Sequence, residues 1–253
     1  MRGESAARAD LPRTDDLRTP TRWLLHGGRP TTRWLIRRRF DVHVLGAEHM
    51  PATGPVVLAA NHIGVIDGPL LAIFAPRPAH ALTKIEMFKG LLGGFLRLTG
   101  QIPLDRFHTD PRAVRTALRV LREGGVVGIF PEGTRGAGDL DRFHRGAAYL
   151  AMVTGAPVVP VFMFGTREPG GASSSLPPRK ARIDLVLGAP IDVDAVPWPR
   201  TREDVAKTSR LLRSRMRAEL QEAIRSTGRS LPGPLPVDQR EPDPGGGVTE
   251  SSA

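Results

Sequence analysis

Val-Val-Leu-Ala-Ala-Asn-His-Ile-Gly-Val-Ile-Asp, residues 56–67, joins a short apolar run to a polar loop. The first five residues are apolar and include β-branched valines, which predicts a buried strand. Asn61 and His62 then lie at the carboxyl end of this strand. Asp67 precedes Pro69 and a second apolar run, which predicts the start of a helix because Pro favours the first helical position.

The polar loop contains two side chains that can act as a pair. Asp67 lies near the positive end of the predicted helix dipole, which favours its ionised form. A spacing of five does not align His62 and Asp67 on one helix face, but a loop that bends at Gly64 allows them to meet. An anionic Asp67 bonded to one ring nitrogen would fix the tautomer of His62 and leave the other nitrogen free as a base. The alternative is a polar loop whose His and Asp cap backbone groups.

Predicted strands and helices alternate on both sides of this stretch. The other strands are 41–45, 80–83, 126–130, 158–164 and 183–187, together with a short strand that starts at Gly100 and runs into a loop before Arg106. Helices begin after Asp67 and Asp110, span 91–98 and 146–154, and run from Thr201 to about Ser226. Such alternation implies an α/β fold. We expect a single domain with a mixed, mostly parallel sheet flanked by helices. Pro160 indicates that the strand 158–164 lies near an edge or a bulge.

Composition divides the chain into four parts. We expect a disordered tail at 1–20, a basic amphipathic helical segment at 21–40, the α/β domain at 41–228 and a second disordered tail at 229–253. Trp and Leu alternate with Arg in the segment 21–40, which suits contact with a membrane interface. Packing of the same apolar side chains on the domain is the alternative, because it demands the same amphipathic face.

Charge and cysteine content limit the possible partners and compartment. The net charge of +10 fits phosphate-bearing partners, and residues 1–40 hold ten Arg against four acidic residues. Nucleic acid and anionic membrane both remain open on this ground. Cys is absent, which excludes disulfides and thiolate metal sites. Without a run of about 20 apolar residues or the apolar core of a signal peptide, we expect a cytoplasmic protein that can still lie on a membrane.

Cationic side chains follow other predicted strands, at the sheet edge where open α/β sheets place their ligand sites. Arg106 and Arg135 can each bind a phosphate through two hydrogen bonds, and Lys84 adds a point charge. The backbone amides of Gly133 and Thr134 would complete an anion nest. Taken alone, an exposed Arg more often forms a surface salt bridge, and only the combination points to a phosphate site.

Four short motifs in this order resemble a known family. They are Asn-His-x-x-x-x-Asp at 61–67, Gly-x-Ile-x-x-x-Arg at 100–106, Phe-Pro-Glu-Gly-Thr-Arg at 130–135 and Val-Pro-Val at 159–161. Their order and spacing resemble the glycerolipid acyltransferases, closest to the 1-acylglycerol-3-phosphate acyltransferases, over about residues 40–195. The sequence departs from many relatives at Gly136, and at 143–146 it has Phe-His-Arg-Gly where they have Phe-Lys-x-Gly.

The resemblance implies transfer of a fatty acyl group from acyl-CoA or acyl carrier protein to the hydroxyl of 1-acyl-sn-glycerol-3-phosphate, giving phosphatidic acid. His62 would be the general base, oriented by Asp67, with no acyl-enzyme, cofactor or metal. The implied setting is the cytoplasmic face of the cell membrane, as a peripheral protein without a transmembrane helix. Another lysophospholipid or hydroxy-lipid acceptor is the alternative within the family.

The same resemblance assigns substrate contacts. The expected substrate-binding residues are Lys84, Arg106, Glu132, Gly133, Thr134 and Arg135. Glu132 would bond a glycerol hydroxyl or hold an Arg, and Pro160 would set the shape of the acyl-donor side. A non-catalytic protein that binds an anionic membrane or another polyanion is the alternative of a different class. Nucleic acid is not an expected partner, because nothing here resembles a nucleic-acid-binding module.

Overall fold

The computed structural model describes residues 11–21, 23–240 and 247–248. The helices are α1 (Trp23–Gly27), α2 (Arg29–Arg39), α3 (Asp67–Phe74), α4 (Gly90–Leu98), α5 (Pro111–Arg122), α6 (Gly146–Thr154) and α7 (Arg202–Thr227). The strands are β1 (Asp41–Leu45), β2 (Val56–Ala60), β3 (Ala79–Lys84), β4 (Ile102–Leu104), β5 (Val126–Ile129), β6 (Phe143–His144), β7 (Val158–Phe164), β8 (Arg182–Leu187) and β9 (Gly247–Val248). Short 3-10 turns lie at 47–49, 85–87 and 237–239.

Seven strands form one mixed sheet in the order β1-β8-β7-β2-β5-β3-β4. Every neighbouring pair is parallel except β7 and β8, which are antiparallel. The predicted α/β fold with a mixed, mostly parallel sheet is therefore confirmed. The strand that precedes His62, β2, lies in the middle of the sheet between β7 and β5.

Helices cover both faces of the sheet, which explains why its central strands are continuously apolar. Val57 and Ala59 of β2 join a core with α5, α6 and α7, whereas Val56 and Leu58 join a second core with α3 and β1. Local sequence signals fix the helix starts. The Asp110 side chain accepts a hydrogen bond from the amide of Ala113 at the start of α5, and a capping box begins α7.

Pro160 lies in the interior of the sheet, so the edge position that its sequence suggested is wrong and the bulge is right. Pro160 accepts a hydrogen bond from the amide of Gly188, and Val158 exchanges two hydrogen bonds with Ile191. Between these two contacts β7 spans two residues, from Val158 to Pro160. The segment opposite it spans three, from Gly188 to Ile191. The extra residue forms a bulge where Pro160 has no N–H to donate.

Both predicted disordered tails are attached to the domain in their described parts. Thr14 is buried, and the Arg122 guanidinium on α5 donates to the carbonyl of Pro12 and the hydroxyl of Thr14. Leu235 is buried at the other end of the chain, where the carbonyl of Gly233 accepts from a buried arginine. These hydrogen bonds and the burial of Thr14 and Leu235 each contribute to offsetting the entropy of ordering the two segments. The remaining tail residues, 1–10, 241–246 and 249–253, lie outside the described part of the chain.

The segment 21–40 forms two helices, and only part of its apolar surface packs on the domain. Arg29 and Arg33 on α2 donate hydrogen bonds to backbone carbonyls at the carboxyl end of α3, which holds α2 in place. Leu25 is buried in the same region, whereas Trp23 and Trp34 stay 66% and 59% exposed. Within the described residues, no helix combines the length and apolarity needed to span a bilayer.

The apolar helix α4 packs against the domain on only one side. Phe88, which precedes it, and Gly93 are buried. The apolar side chains on the outer side are exposed, with Leu91 at 96% and Phe95 at 53%. This helix therefore presents an apolar stripe to its surroundings.

Candidate active site

His62 and Asp67 form a hydrogen-bonded pair at the carboxyl end of β2. The Nδ1 atom of His62 lies 2.8 Å from Oδ2 of Asp67. The same oxygen accepts hydrogen bonds from the backbone amides of Ile63 and Gly64 at 2.7 and 2.8 Å. The loop thus wraps around the carboxylate, which is fully buried, while the His62 side chain stays 16% exposed. With Nδ1 bonded to Asp67, Nε2 is the nitrogen available for proton transfer.

Three neighbouring residues fix the position of the His62 ring and backbone. The ring stacks on Phe130, with 4.2 Å between the ring centroids. The carboxylate of Glu132 accepts a hydrogen bond from the His62 amide at 2.6 Å. Asn61 is fully buried and its side chain bonds both the amide and the carbonyl of Met163 on β7. These contacts leave His62 little freedom to turn away from Asp67.

A cavity of about 720 Å3 borders His62. Its size is that of a small-ligand pocket. Its wall is largely apolar and comes from α1, α3, α4 and the sheet; it includes Leu24, Leu25, Ala72, Ile73, Leu82, Met87, Leu92, Phe95, Leu96, Leu104 and Ile129. Lys84, Arg106 and Arg135 line the same cavity. The His62 ring, several cationic side chains and an apolar wall therefore face one space.

Backbone carbonyls hold the two arginines at the cavity. Arg106 donates from Nη1 to the carbonyl of Gly133 at 2.7 Å, and Arg135 donates from Nη1 to the carbonyl of Ser173 at 2.8 Å. The predicted anion nest at Gly133 and Thr134 does not include the Gly133 amide, so this part of the prediction is wrong. Gly133 has a positive φ and its amide closes a turn by donating to the carbonyl of Phe130. Thr134 is buried and borders a separate polar cavity.

Glu132 supports His62 from behind instead of lining the cavity that the cations share. Its carboxylate accepts hydrogen bonds from the backbone amides of His62 and Leu140. Burial raises the pKa of Glu132 to about 8, and the nearby charge of Asp139 acts in the same direction, while the two hydrogen bonds oppose the rise. The expected contact with a glycerol hydroxyl or an arginine stays a prediction, and the contact that the structure shows is with the backbone amide of His62.

Pro160 does not line the cavity beside His62. It pairs with Ala59 of β2 inside the sheet, and its part of β7 is buried. Its placement on the acyl-donor side therefore stays a prediction, in which it would act through the bulge that the segment after β8 forms opposite it.

Two buried polar residues that sequence reasoning passed over also contact the loop 61–67. Thr166 donates from its hydroxyl to Oδ1 of Asp67 at 2.5 Å, and Arg167 donates from Nε to the carbonyl of Ile63 at 2.8 Å. Both lie just after β7, separated from it by Gly165. The rule that strand ends carry site residues would have found them, but the Gly- and Ser-rich stretch in which they stand reads as a plain loop.

Comparisons with known proteins identify the family of this chain. The family model described as Acyltransferase matches residues 41–164. The 1-acyl-sn-glycerol-3-phosphate acyltransferase of Bacillus subtilis is 30% identical over 185 residues, which cover 72% of this chain and 90% of the relative. The protein of the same name from Borreliella burgdorferi is 31% identical over 139 residues, covering 49% of this chain and 52% of the relative.

The fold is shared with a solved structure. The crystal structure of the 1-acyl-sn-glycerophosphate (LPA) acyltransferase PlsC from Thermotoga maritima superposes with a TM-score of 0.57 at 24% identity, covering 87% of this chain and 89% of that one. The chain therefore belongs to the acyltransferase family. Within that family it is an O-acyltransferase.

Proposed function

We propose that this protein transfers a fatty acyl group to the free hydroxyl of 1-acyl-sn-glycerol-3-phosphate, forming phosphatidic acid for phospholipid synthesis. The donor is the thioester of acyl-CoA or of acyl carrier protein. The observation that carries the proposal is the shared cavity of His62, Arg106, Arg135 and Lys84 with a long apolar wall. An acceptor with one hydroxyl, one phosphate and one acyl chain matches these three features, and the relatives carry the name of this activity.

Acyl transfer requires a base at the acceptor hydroxyl. His62 Nε2 takes the hydroxyl proton as the oxygen attacks the thioester carbonyl carbon. The carbon–sulfur bond then breaks, and the imidazolium returns the proton to the departing thiolate. Asp67 holds the tautomer and stabilises the imidazolium between these steps. The acceptor oxygen itself is the nucleophile, so the reaction needs no acyl-enzyme.

The cations contribute by orienting the acceptor. Arg106 and Arg135 bind its phosphate through charge-assisted hydrogen bonds, and Lys84 adds attraction. Because these groups share the cavity with His62, a phosphate bound there keeps the hydroxyl within reach of the base. Such positioning converts a bimolecular encounter into an oriented reaction.

Membrane contact at the apolar rim of the cavity would deliver the lipid substrate. Trp23, Trp34 and Leu91 are strongly exposed, and both α1 and α4 also contribute to the cavity wall. Arg37 and Arg38 are exposed on α2, where they suit lipid phosphate. The protein would thus bind peripherally to the cytoplasmic face of the cell membrane, with the cavity open towards the acyl chains.

A panel of lysophospholipids tests the acceptor. Purified protein is assayed with each lysolipid, and with acyl-CoA and acyl carrier protein as donors. Lysophosphatidic acid should be the preferred acceptor, and Arg106→Met should raise its KM more than the KM of the donor. His144, which lines the cavity at a position where many relatives have Lys, favours a second candidate, an acceptor with another headgroup. Inactivity with lysophosphatidic acid and turnover of another lysolipid would replace the first proposal by the second.

Vesicle sedimentation tests the membrane contact. The protein should sediment with anionic vesicles, and Leu91→Asp together with Phe95→Asp should release it. Leu211→Asp is the matched control, because Leu211 is an exposed leucine on α7, which packs on the other core. Equal sedimentation of both variants, or no sedimentation of the unmodified protein, would refute the proposed contact.

A further inference from the structure

The charged partner of His62 is held by a residue from outside its own loop. Four donors surround the Asp67 carboxylate within the described residues: the His62 ring, the amides of Ile63 and Gly64, and the hydroxyl of Thr166. The first three belong to the same loop and move with it. Thr166 alone joins the carboxylate to the end of β7, a central strand of the sheet.

We infer that Thr166 is a positioning residue for acyl transfer, acting through Asp67. This inference rests on the proposed catalytic role of the His62–Asp67 pair. Thr166 is fully buried, and its hydroxyl binds Oδ1 at 2.5 Å while His62 binds Oδ2 at 2.8 Å. A hydrogen bond on each oxygen fixes the plane of the carboxylate, and with it the direction in which the His62 ring points.

The neighbours of Thr166 hold its hydroxyl in position next to the Asp67 carboxylate. Arg167, the next residue, is buried and donates to the carbonyls of Ile63, Gly136, Gly171 and Gly233. It therefore fixes the backbone beside Thr166 to the catalytic loop. Gly64 packs closely on the carbonyl of Thr166, where an added Cβ atom would come within 2.5 Å. The two loops are matched to each other at this contact.

Thr166 does not line the cavity, which separates its effect from substrate binding. Loss of its hydroxyl should disturb the orientation of the base without removing a contact to acceptor or donor. A hydrogen bond to a charged group contributes enough that its loss should lower kcat about 10-fold to 100-fold. The KM values of both substrates should stay unchanged.

The test is a double-mutant cycle with rescue, assayed with lysophosphatidic acid and acyl-CoA. Thr166→Val removes the hydroxyl at nearly constant shape and should lower kcat, whereas Thr166→Ser keeps the hydroxyl and should restore it. In an Asp67→Asn background, Thr166→Val should cause no further loss, because the residue acts through that carboxylate. Thr154→Val is the matched control, since the Thr154 hydroxyl bonds only helix and turn backbone near the end of α6.

A spectroscopic signal separates positioning from general destabilisation. The downfield proton resonance of His62 Nδ1–H should shift in Thr166→Val and stay in place in Thr166→Ser and Thr154→Val. If the valine variant does not fold, Thr166→Ala removes the same hydroxyl and takes its place in the cycle. Unchanged kcat in the variant without the hydroxyl, or equal losses with and without Asp67, would overturn the inference. Activity that survives His62→Ala would instead overturn the proposed function.

Discussion

Replacing Glu132 by Gln should alter how the stability of the protein depends on pH. Glu132 is buried beneath His62, and burial raises its pKa to about 8. In the unfolded chain the same carboxyl titrates near its ordinary value of 4.5. Between these two values the folded protein holds a proton that the unfolded chain has lost. The free energy of unfolding contributed by this group therefore falls as the pH rises from about 4.5 to about 8.

The size of the effect follows from the two pKa values. A rise in the pKa from 4.5 to about 8 corresponds to at most about 5 kcal/mol across the whole window. Glutamine is a neutral mimic of the protonated acid and still offers an oxygen to the His62 amide. Glu132→Gln should therefore gain stability relative to the unmodified protein as the pH rises, by several kcal/mol at pH 8 compared with pH 5.

Urea unfolding followed by circular dichroism at pH 5 and pH 8 measures this difference. The stabilities of the two proteins should diverge with rising pH, with the variant the more stable at pH 8. Asp139→Asn should show a smaller change in the same direction as Glu132→Gln, because the Asp139 charge contributes to the raised pKa of Glu132. If the unfolding free energies of the unmodified protein and Glu132→Gln change in parallel, the assignment of a protonated Glu132 is refuted.

Three further substitutions test packing, capping and loop fit. Phe162→Ala empties a fully buried site on β7 and should lower the free energy of unfolding by about 3–5 kcal/mol in a urea titration, with no change in the m-value. Thr201→Ala removes half of the capping box of α7 and should cost about 1 kcal/mol, measured by thermal unfolding, whereas Thr201→Ser should cost much less. Gly64→Ala forces a contact on the Thr166 carbonyl and should lower kcat in the acyl-transfer assay while the fold persists. A smaller loss in the free energy of unfolding for Phe162→Ala than for Thr201→Ala would contradict the first two predictions. Full activity of Gly64→Ala would contradict the third.

The elements of the fold follow from local patterns, but their arrangement does not. Runs such as 56–60 and 158–164 are apolar on both faces because helices cover both sides of the sheet, so they read as strands from sequence alone. The reversal of β8 against β7 depends on a long connection whose path has no periodic signal. The two-residue strands β6 and β9 are too short to show any pattern. The contact between Thr14 and Arg122 joins distant parts of the chain, so composition suggested disorder there instead.

Some residues of the candidate site could be predicted from local sequence patterns, whereas others depend on tertiary contacts. His62 and Arg106 border one cavity, as expected from their positions after strands, because parallel strands end at the same edge of the sheet. Glu132 also stands after a strand, but the turn closed by Gly133 directs it beneath the loop instead of into the cavity. That turn geometry has no signature in the motif itself. Thr166 was missed because its partner, Asp67, lies 99 positions away in the chain.

The most direct test of the account is the rate of acyl transfer to lysophosphatidic acid by His62→Ala, measured as free thiol release together with phosphatidic acid formation. General base catalysis contributes about 100-fold to 10,000-fold, so kcat should fall by at least about 100-fold. The far-UV circular dichroism and the thermal unfolding curve should stay close to those of the unmodified protein, because His62 borders a cavity. A correctly folded His62→Ala that still forms phosphatidic acid at a comparable rate would contradict the account.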